Sequence, residues 1–295
     1  MDQAEQLRNI IKQQSPPRTK FSRVITVTSG KGGVGKTSLA VNMALQFQRQ
    51  GKKVVILDAD FGLANIEVML GIRPQYNLAD LMFNGKALKD IITEGPEGIG
   101  FISGGSGIKE LASLSREQII MVMEALSELD KLVDVIIVDT GAGIADNVLE
   151  FAAASEEVLL VVTPEPTSIT DAYALLKTLN HTQDFQASQT VIKLISNRVQ
   201  SEKEGQEIFD KVSLVADKFL NIQLEYLGFV LNDANVSKAV MHQKPLIQVY
   251  PNTPAALSIL YLANKLQNNE HTIMYREKGI KRLFTNLIHA KIKRW

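Results

Sequence analysis

Residues 30–37 read Gly30-Lys31-Gly32-Gly33-Val34-Gly35-Lys36-Thr37, which fits the spacing GxxxxGK[ST]. A β-branched run, Arg23–Thr28, precedes it, and Thr37–Gln50 follows with helical periodicity. Between a strand and a helix, glycines let backbone N–H groups approach phosphate oxygens, and the helix N-terminus adds partial positive charge. The pattern therefore predicts a triphosphate cradle made by Gly30, Lys31, Gly32, Gly33, Val34, Gly35 and Ser38. Lys36 neutralises β/γ-phosphate charge there, and the Thr37 hydroxyl ligates Mg²⁺.

The rest of the chain repeats the alternation. Strands are predicted at Arg23–Thr28, Lys53–Leu57, Ile99–Ile102, Val133–Val138, Val158–Val162, Val191–Ile195 and Tyr226–Val230, with helical stretches between them. Continuous apolar strands separated by helices imply an α/β fold. Its mostly parallel central sheet has about seven or eight strands, covered by helices on both faces. Residues 21–267 form one domain, preceded by a peptide and a Pro16-Pro17 linker over 1–20 and followed by a polar bridge and basic tail over 268–295.

Two strands deliver carboxylates to the loop's edge of the sheet. Val135-Ile136-Ile137-Val138 ends in Asp139, the expected second anchor for Mg²⁺. Val54-Val55-Ile56-Leu57 runs into Asp58-Ala59-Asp60, where one carboxylate supports the metal and the other orients or deprotonates water. From the residues alone, Asp58 and Asp60 also suit the capping of Ala64–Leu70.

Composition narrows the chemistry. The chain has 295 residues, 45% hydrophobic and 22% charged, a globular balance. With no cysteine, disulfide scaffolds, thiolate catalysis, zinc ribbons and iron–sulfur clusters are excluded. His181, His242, His271 and His289 lack ligand spacing, so no metal beyond Mg²⁺ is expected. Thirty-two basic residues balance thirty-two acidic ones, which gives no global field for nucleic acid. The N-terminus lacks the pattern of a secretory signal, and no apolar run approaches a membrane span.

The charge is unevenly placed. From Arg276 to Trp295 there are seven Lys/Arg against one acid. Ile280, Leu283, Phe284, Leu287, Ile288, Ile292 and Trp295 recur there at helical spacing between basic flanks. Such a helix is expected to lie in the plane of an anionic membrane, and two of them on a dimer bind by avidity. A terminal helix packed on the core, or on a partner protein, is the alternative.

Lys31 ahead of Gly32-Gly33-Val34-Gly35-Lys36-Thr37 makes this a deviant Walker A motif, which resembles the MinD/ParA family of dimerising ATPases. The resemblance implies that Lys31 reaches the partner protomer's phosphates and that Asp60 positions the attacking water. It also implies that Glu150 faces the partner and that Asn197 hydrogen-bonds adenine. Val230, Leu231, Asn232 and Asn235 take the other base-contacting position, and no guanine signature is present, so ATP and ADP are the expected nucleotides. At the N-terminus, Asp2-Gln3-Ala4-Glu5-Gln6-Leu7-Arg8 resembles the activator motif of the FlhG (YlxH/FleN-type) flagellar ATPases. That resemblance implies a slow, Mg-dependent ATPase switch, cytoplasmic and peripheral on the inner membrane face, that forms a homodimer with ATP. Its implied partners are an FlhF-type signal-recognition-particle GTPase and C-ring proteins of the FliM/FliN/FliY type, with no specific nucleic acid. A ParA-type DNA-segregation ATPase and a division-site MinD share much of this pattern and are the rival readings.

Overall fold

All six residues of Val135–Thr140 are buried, and their side chains alternate between two cores. Val135 and Ile137 join one cluster, Ile136 and Val138 the other. A strand buried on both faces needs helices on both sides, and the rest of the chain supplies them. The computed structural model describes residues 21–60, 65–105, 116–182, 185, 187, 189–268 and 279–292. The activator string Asp2–Arg8 and Trp295 lie outside the described residues, as do the side chains of Ile288 and Ile292.

The elements of the first half are β1 (Arg23–Thr28), α1 (Lys36–Arg49), β2 (Val54–Ala59), α2 (Asn65–Leu70), α3 (Leu78–Phe83), α4 (Leu88–Ile91), β3 (Thr93–Glu94) and β4 (Gly100–Ser103). There follow α5 (Arg116–Leu132), β5 (Val135–Thr140), α6 (Asp146–Ala154), β6 (Glu157–Val162), α7 (Pro166–Asn180), β7 (Val191–Val199) and α8 (Glu202–Leu220). The last are β8 (Leu224–Leu231), α9 (Ala234–Met241), α10 (Leu246–Val249), α11 (Pro254–Asn268) and α12 (Ile280–Ile292). Eight strands form one sheet in the order β3-β4-β2-β5-β1-β6-β7-β8. Every pairing is parallel except the two-residue edge strand β3, which runs antiparallel to β4 and is too short to leave a periodic signal.

Register decides what meets at the carboxyl edge. Val27 of β1 and Asp58 of β2 both stand beside Asp139 of β5. The loop after β1 thus opens next to both strand-end carboxylates, where open α/β sheets bind ligands. At the opposite end, buried Glu157 accepts from Arg23 at 2.8 and 2.9 Å and from Lys193 at 2.6 Å, tying β1, β6 and β7 together. Burial pushes the Glu157 carboxyl up, but the two cations outweigh it and hold it below the usual range.

The C-terminal stripe departs from the sequence reading. Ile280, Leu283, Phe284 and Leu287 do not face outward: they are buried with Val122, Leu126, Leu129 and Phe151, in a core shared with α5 and α6. An apolar stripe is as well satisfied by a protein core as by lipid, and here α5 and α6 present one. Polar contacts fix the docking. Ile280 N–H donates to Asp130 Oδ1 at 2.9 Å, Arg282 pairs with Glu156, and Asn286 donates to the Ala154 carbonyl at 3.3 Å. Gly279 has φ 99°, and a Cβ there would lie 2.4 Å from Asp130, so the turn into α12 requires glycine. Among the described residues no helix is long and apolar enough to cross a membrane.

Candidate nucleotide site

The loop from Ser29 to Lys36 is shaped by glycines with specific duties. Gly33 and Gly35 have φ of 75° and 96°, a region that disfavours other residues. A Cβ on Gly30 would sit 2.1 Å from the Asp171 carbonyl of α7, so only glycine lets the loop lie against that helix. The helix α1 starts at Gly35 with no side-chain cap, which leaves its first N–H groups available to an anion. Lys36 is buried and donates to Ser29 Oγ at 3.0 Å. Burial lowers its pKa, opposed by Asp139 and Asp60.

The three carboxylates have different circumstances. Asp58 is buried and its oxygens are engaged, accepting from the Asp60 N–H at 3.0 Å and the Ile66 N–H at 3.5 Å. Burial and the neighbouring Asp139 still push it up to about 8. Asp60 lies in the cleft and accepts from Asn65 Nδ2 at 2.9 Å. Asp139 is fully buried, and among the described residues neither of its oxygens makes a well-formed hydrogen bond, the Thr37 hydroxyl being the nearest approach to one. Burial raises it to about 7, while Thr37 and Lys36 pull it back down. A buried carboxylate whose hydrogen-bonding capacity is largely unused, beside a threonine hydroxyl, fits a hard divalent cation. Thr37 and Asp139 are therefore the better-suited Mg²⁺ residues, and Asp58 is a brace for the turn that carries Asp60.

Lys31 does not point away from its own subunit. Its ammonium pairs with Glu165 and donates to Thr167 Oγ1 at 2.7 Å, both at the start of α7. The Lys31 amine pulls the Glu165 carboxyl below its usual range. Sequence reading missed both partners, since a contact spanning 134 residues leaves no local pattern.

A cleft of about 880 Å³ runs from Gly32, Gly33, Lys36 and Thr37 past Asp60 to Asn197, Val230, Leu231 and Asn232. That volume suits a nucleotide. Arg198 also lines it and was not foreseen; its φ of 61° marks a bulge at the end of β7. Asn197 is committed to the phosphate loop, with Nδ2 donating to the Val34 carbonyl at 2.6 Å. Of the expected site residues, Gly30, Lys31, Val34, Asp58, Asp139, Glu150 and Asn235 do not line the cleft. Glu150 is buried in α6, and the Asn235 amide turns onto Asp233 at 2.9 Å, within the cap of α9.

The ParA family model, described as "NUBPL iron-transfer P-loop NTPase", matches residues 20–267. Antiactivator FleN of Pseudomonas aeruginosa is 42% identical over 246 residues, 83% of this chain and 86% of FleN. The flagellum site-determining protein YlxH of Helicobacter pylori is 33% identical over 306 residues, 97% of this chain and 98% of YlxH. In fold, the chain resembles MinD of the Aquifex aeolicus MinC:MinD complex, with a TM-score of 0.66 at 24% identity, covering 88% of this chain and 100% of that one. MinD of Pyrococcus horikoshii, solved with Mg-ADP, gives 0.64 at 22% identity over 83% and 96% of the two chains.

Proposed function

The chain belongs to the MinD/ParA family of P-loop ATPases, and from that premise we propose that it is an ATP-driven switch regulating the number and placement of flagella. The name of the flagellum site-determining protein YlxH supports the flagellar role, and so does the string Asp2–Arg8. One observation carries the nucleotide chemistry: Lys36, Thr37 and Asp60 line one end of the cleft, and the fully buried Asp139 carboxylate lies close enough behind them to interact with all three.

The residues then take these roles. Uncapped N–H groups at the start of α1 and the Lys36 ammonium hold the β- and γ-phosphates. Thr37 and Asp139, directly or through water, would hold Mg²⁺, which when bound would offset negative charge on the phosphoryl oxygens. Asp60 orients the attacking water, held in place by Asn65 and by the Asp58 brace under its N–H. In a face-to-face dimer Lys31 leaves Glu165 and Thr167 for the partner's phosphates. That exchange is inexpensive, because the Lys31–Glu165 pair is at the surface. ATP selects the dimer only in so far as it binds it more tightly than the monomer.

The docked α12 is the resting state of this switch. Its packing neighbour α6 begins six residues after Thr140, directly downstream of the segment that contacts the nucleotide site. ATP-driven movement of that segment loosens α6 and frees α12 for anionic lipid. Segment 2–8 activates an FlhF-type GTPase, and C-ring proteins are the downstream partners.

Co-sedimentation with anionic liposomes tests the switch, using Asp60→Ala protein with ATP or ADP, with and without residues 276–295. Pelleting only with ATP and only with the tail is the expected outcome. Failure to pellet in every condition removes the membrane step. Salt-sensitive DNA binding that survives polar replacement of Ile280, Leu283 and Phe284 moves the reading to a DNA-segregation ATPase.

A further inference from the structure

Asn197 carries more than a contact to a base. It ends the straight part of β7, where the register with β8 shifts and Arg198 takes φ 61°. A non-glycine residue in that region is strained, so surrounding contacts must hold it. The Arg198 N–H donates to Asn197 Oδ1 at 3.0 Å, and Asn197 Nδ2 donates to the Val34 carbonyl at 2.6 Å. These two partners settle the amide's orientation. The reverse would set its oxygen against a carbonyl and its NH₂ against an N–H.

The contact falls on the Val34–Gly35 peptide, one before the peptide that joins Gly35 to Lys36. Gly35 is pressed against the same amide, since a Cβ there would lie 2.7 Å from Asn197 Nδ2. In a trans peptide, C=O and N–H point in opposite directions. With the Val34 carbonyl drawn to Asn197, the Gly35 N–H is turned away from it, toward the loop's other edge. That is the donor a phosphate cradle of this kind uses.

We propose that Asn197 is a positioning residue for phosphate binding: by fixing the Val34–Gly35 peptide plane it presets the loop, whatever base is bound. The inference rests on the nucleotide site proposed above and deepens it. It shifts the main duty of Asn197 from reading the base to shaping the loop, and links the base end of the cleft to the phosphate end through one buried side chain.

The test compares a ligand with phosphates and no base against ATP. Titrations of full-length wild type, Asn197→Ala and Asn197→Asp use Mg²⁺ with inorganic tripolyphosphate or with ATP. Asn197→Asp matters most: it keeps the size and the acceptor for Arg198, and replaces the donor to Val34 by an oxygen. Both variants are expected to lose about tenfold for tripolyphosphate and for ATP alike, with Asn197→Asp at least as impaired. Thermal melting within a few degrees of wild type separates this from general unfolding. Tripolyphosphate affinity unchanged in Asn197→Asp while ATP weakens would overturn the proposal and make the residue a base reader. Wild type that binds neither ligand would instead remove the nucleotide site itself.

Discussion

A fully buried carboxylate is costly to ionise, and at Asp139 the cost has a direction in pH. Asp58 and Asp139 have folded-state pKa values of about 8 and about 7, against an ordinary 3.8. The folded state therefore binds more protons than the unfolded chain between those limits. The contribution of these two carboxylates to the stability of the nucleotide-free protein falls as pH rises from about 4 to about 8. Asp139→Asn, which cannot ionise, is expected to be more stable than wild type by about 1–3 kcal/mol at pH 8, with the gap closing toward pH 5. Thermal melts across that range check it; a gap that widens on acidification refutes it. Adding Mg·ADP should stabilise wild type more than this variant. Lys36→Gln removes the cation beside the phosphates, and retention of ATP-dependent dimerisation in that variant would displace the site. At this scale the sequence was informative about residue type and spacing. It named Lys36, Thr37, Asp60 and Asp139, yet left open whether Asp58 bound metal or braced a turn.

At the scale of elements, α12 is the informative case. Its stripe was legible as helical and amphipathic, because 3.6-residue periodicity is a local property. What the stripe faces is not local. Phe284 is fully buried, so Phe284→Ala should cost about 3–5 kcal/mol of docking free energy. Limited proteolysis in the tail, or amide hydrogen exchange along α12, reads that loss. An unchanged exchange pattern would mean α12 is not docked in solution. Asp130 is the other handle. Its Oδ1 accepts from the Ile280 N–H and from Ser22, so one carboxylate grips both the start of α12 and the entry to β1. Asp130→Ala is expected to raise liposome binding without ATP several-fold, since it weakens docking and leaves the apolar stripe intact. No gain over wild type would argue that the polar clasp does not control release.

For the whole molecule, the prediction concerns two copies. Lys31→Ala should still bind nucleotide as a monomer while ATP-dependent dimerisation is lost and hydrolysis drops about 100-fold or more, by analogy with a charge supplied in trans. Light scattering with and without ATP, alongside phosphate release, separates the two effects. Removing residues 1–17 should spare that dimerisation and abolish stimulation of an FlhF-type GTPase. Local sequence was enough to read the α/β class, seven of the eight described strands and the glycine-rich loop between β1 and α1. Those features follow from near neighbours: glycine spacing, apolar runs, a carboxylate at the end of a strand. Three contacts come from the folded chain alone: Lys31 rests on Glu165, Asn197 grips a peptide 163 residues away, and the apolar face of α12 is folded inward. Each depends on which surfaces the sheet brings together. An ammonium, an amide or an apolar stripe can be satisfied by several partners, and the partner is chosen by packing across the whole chain.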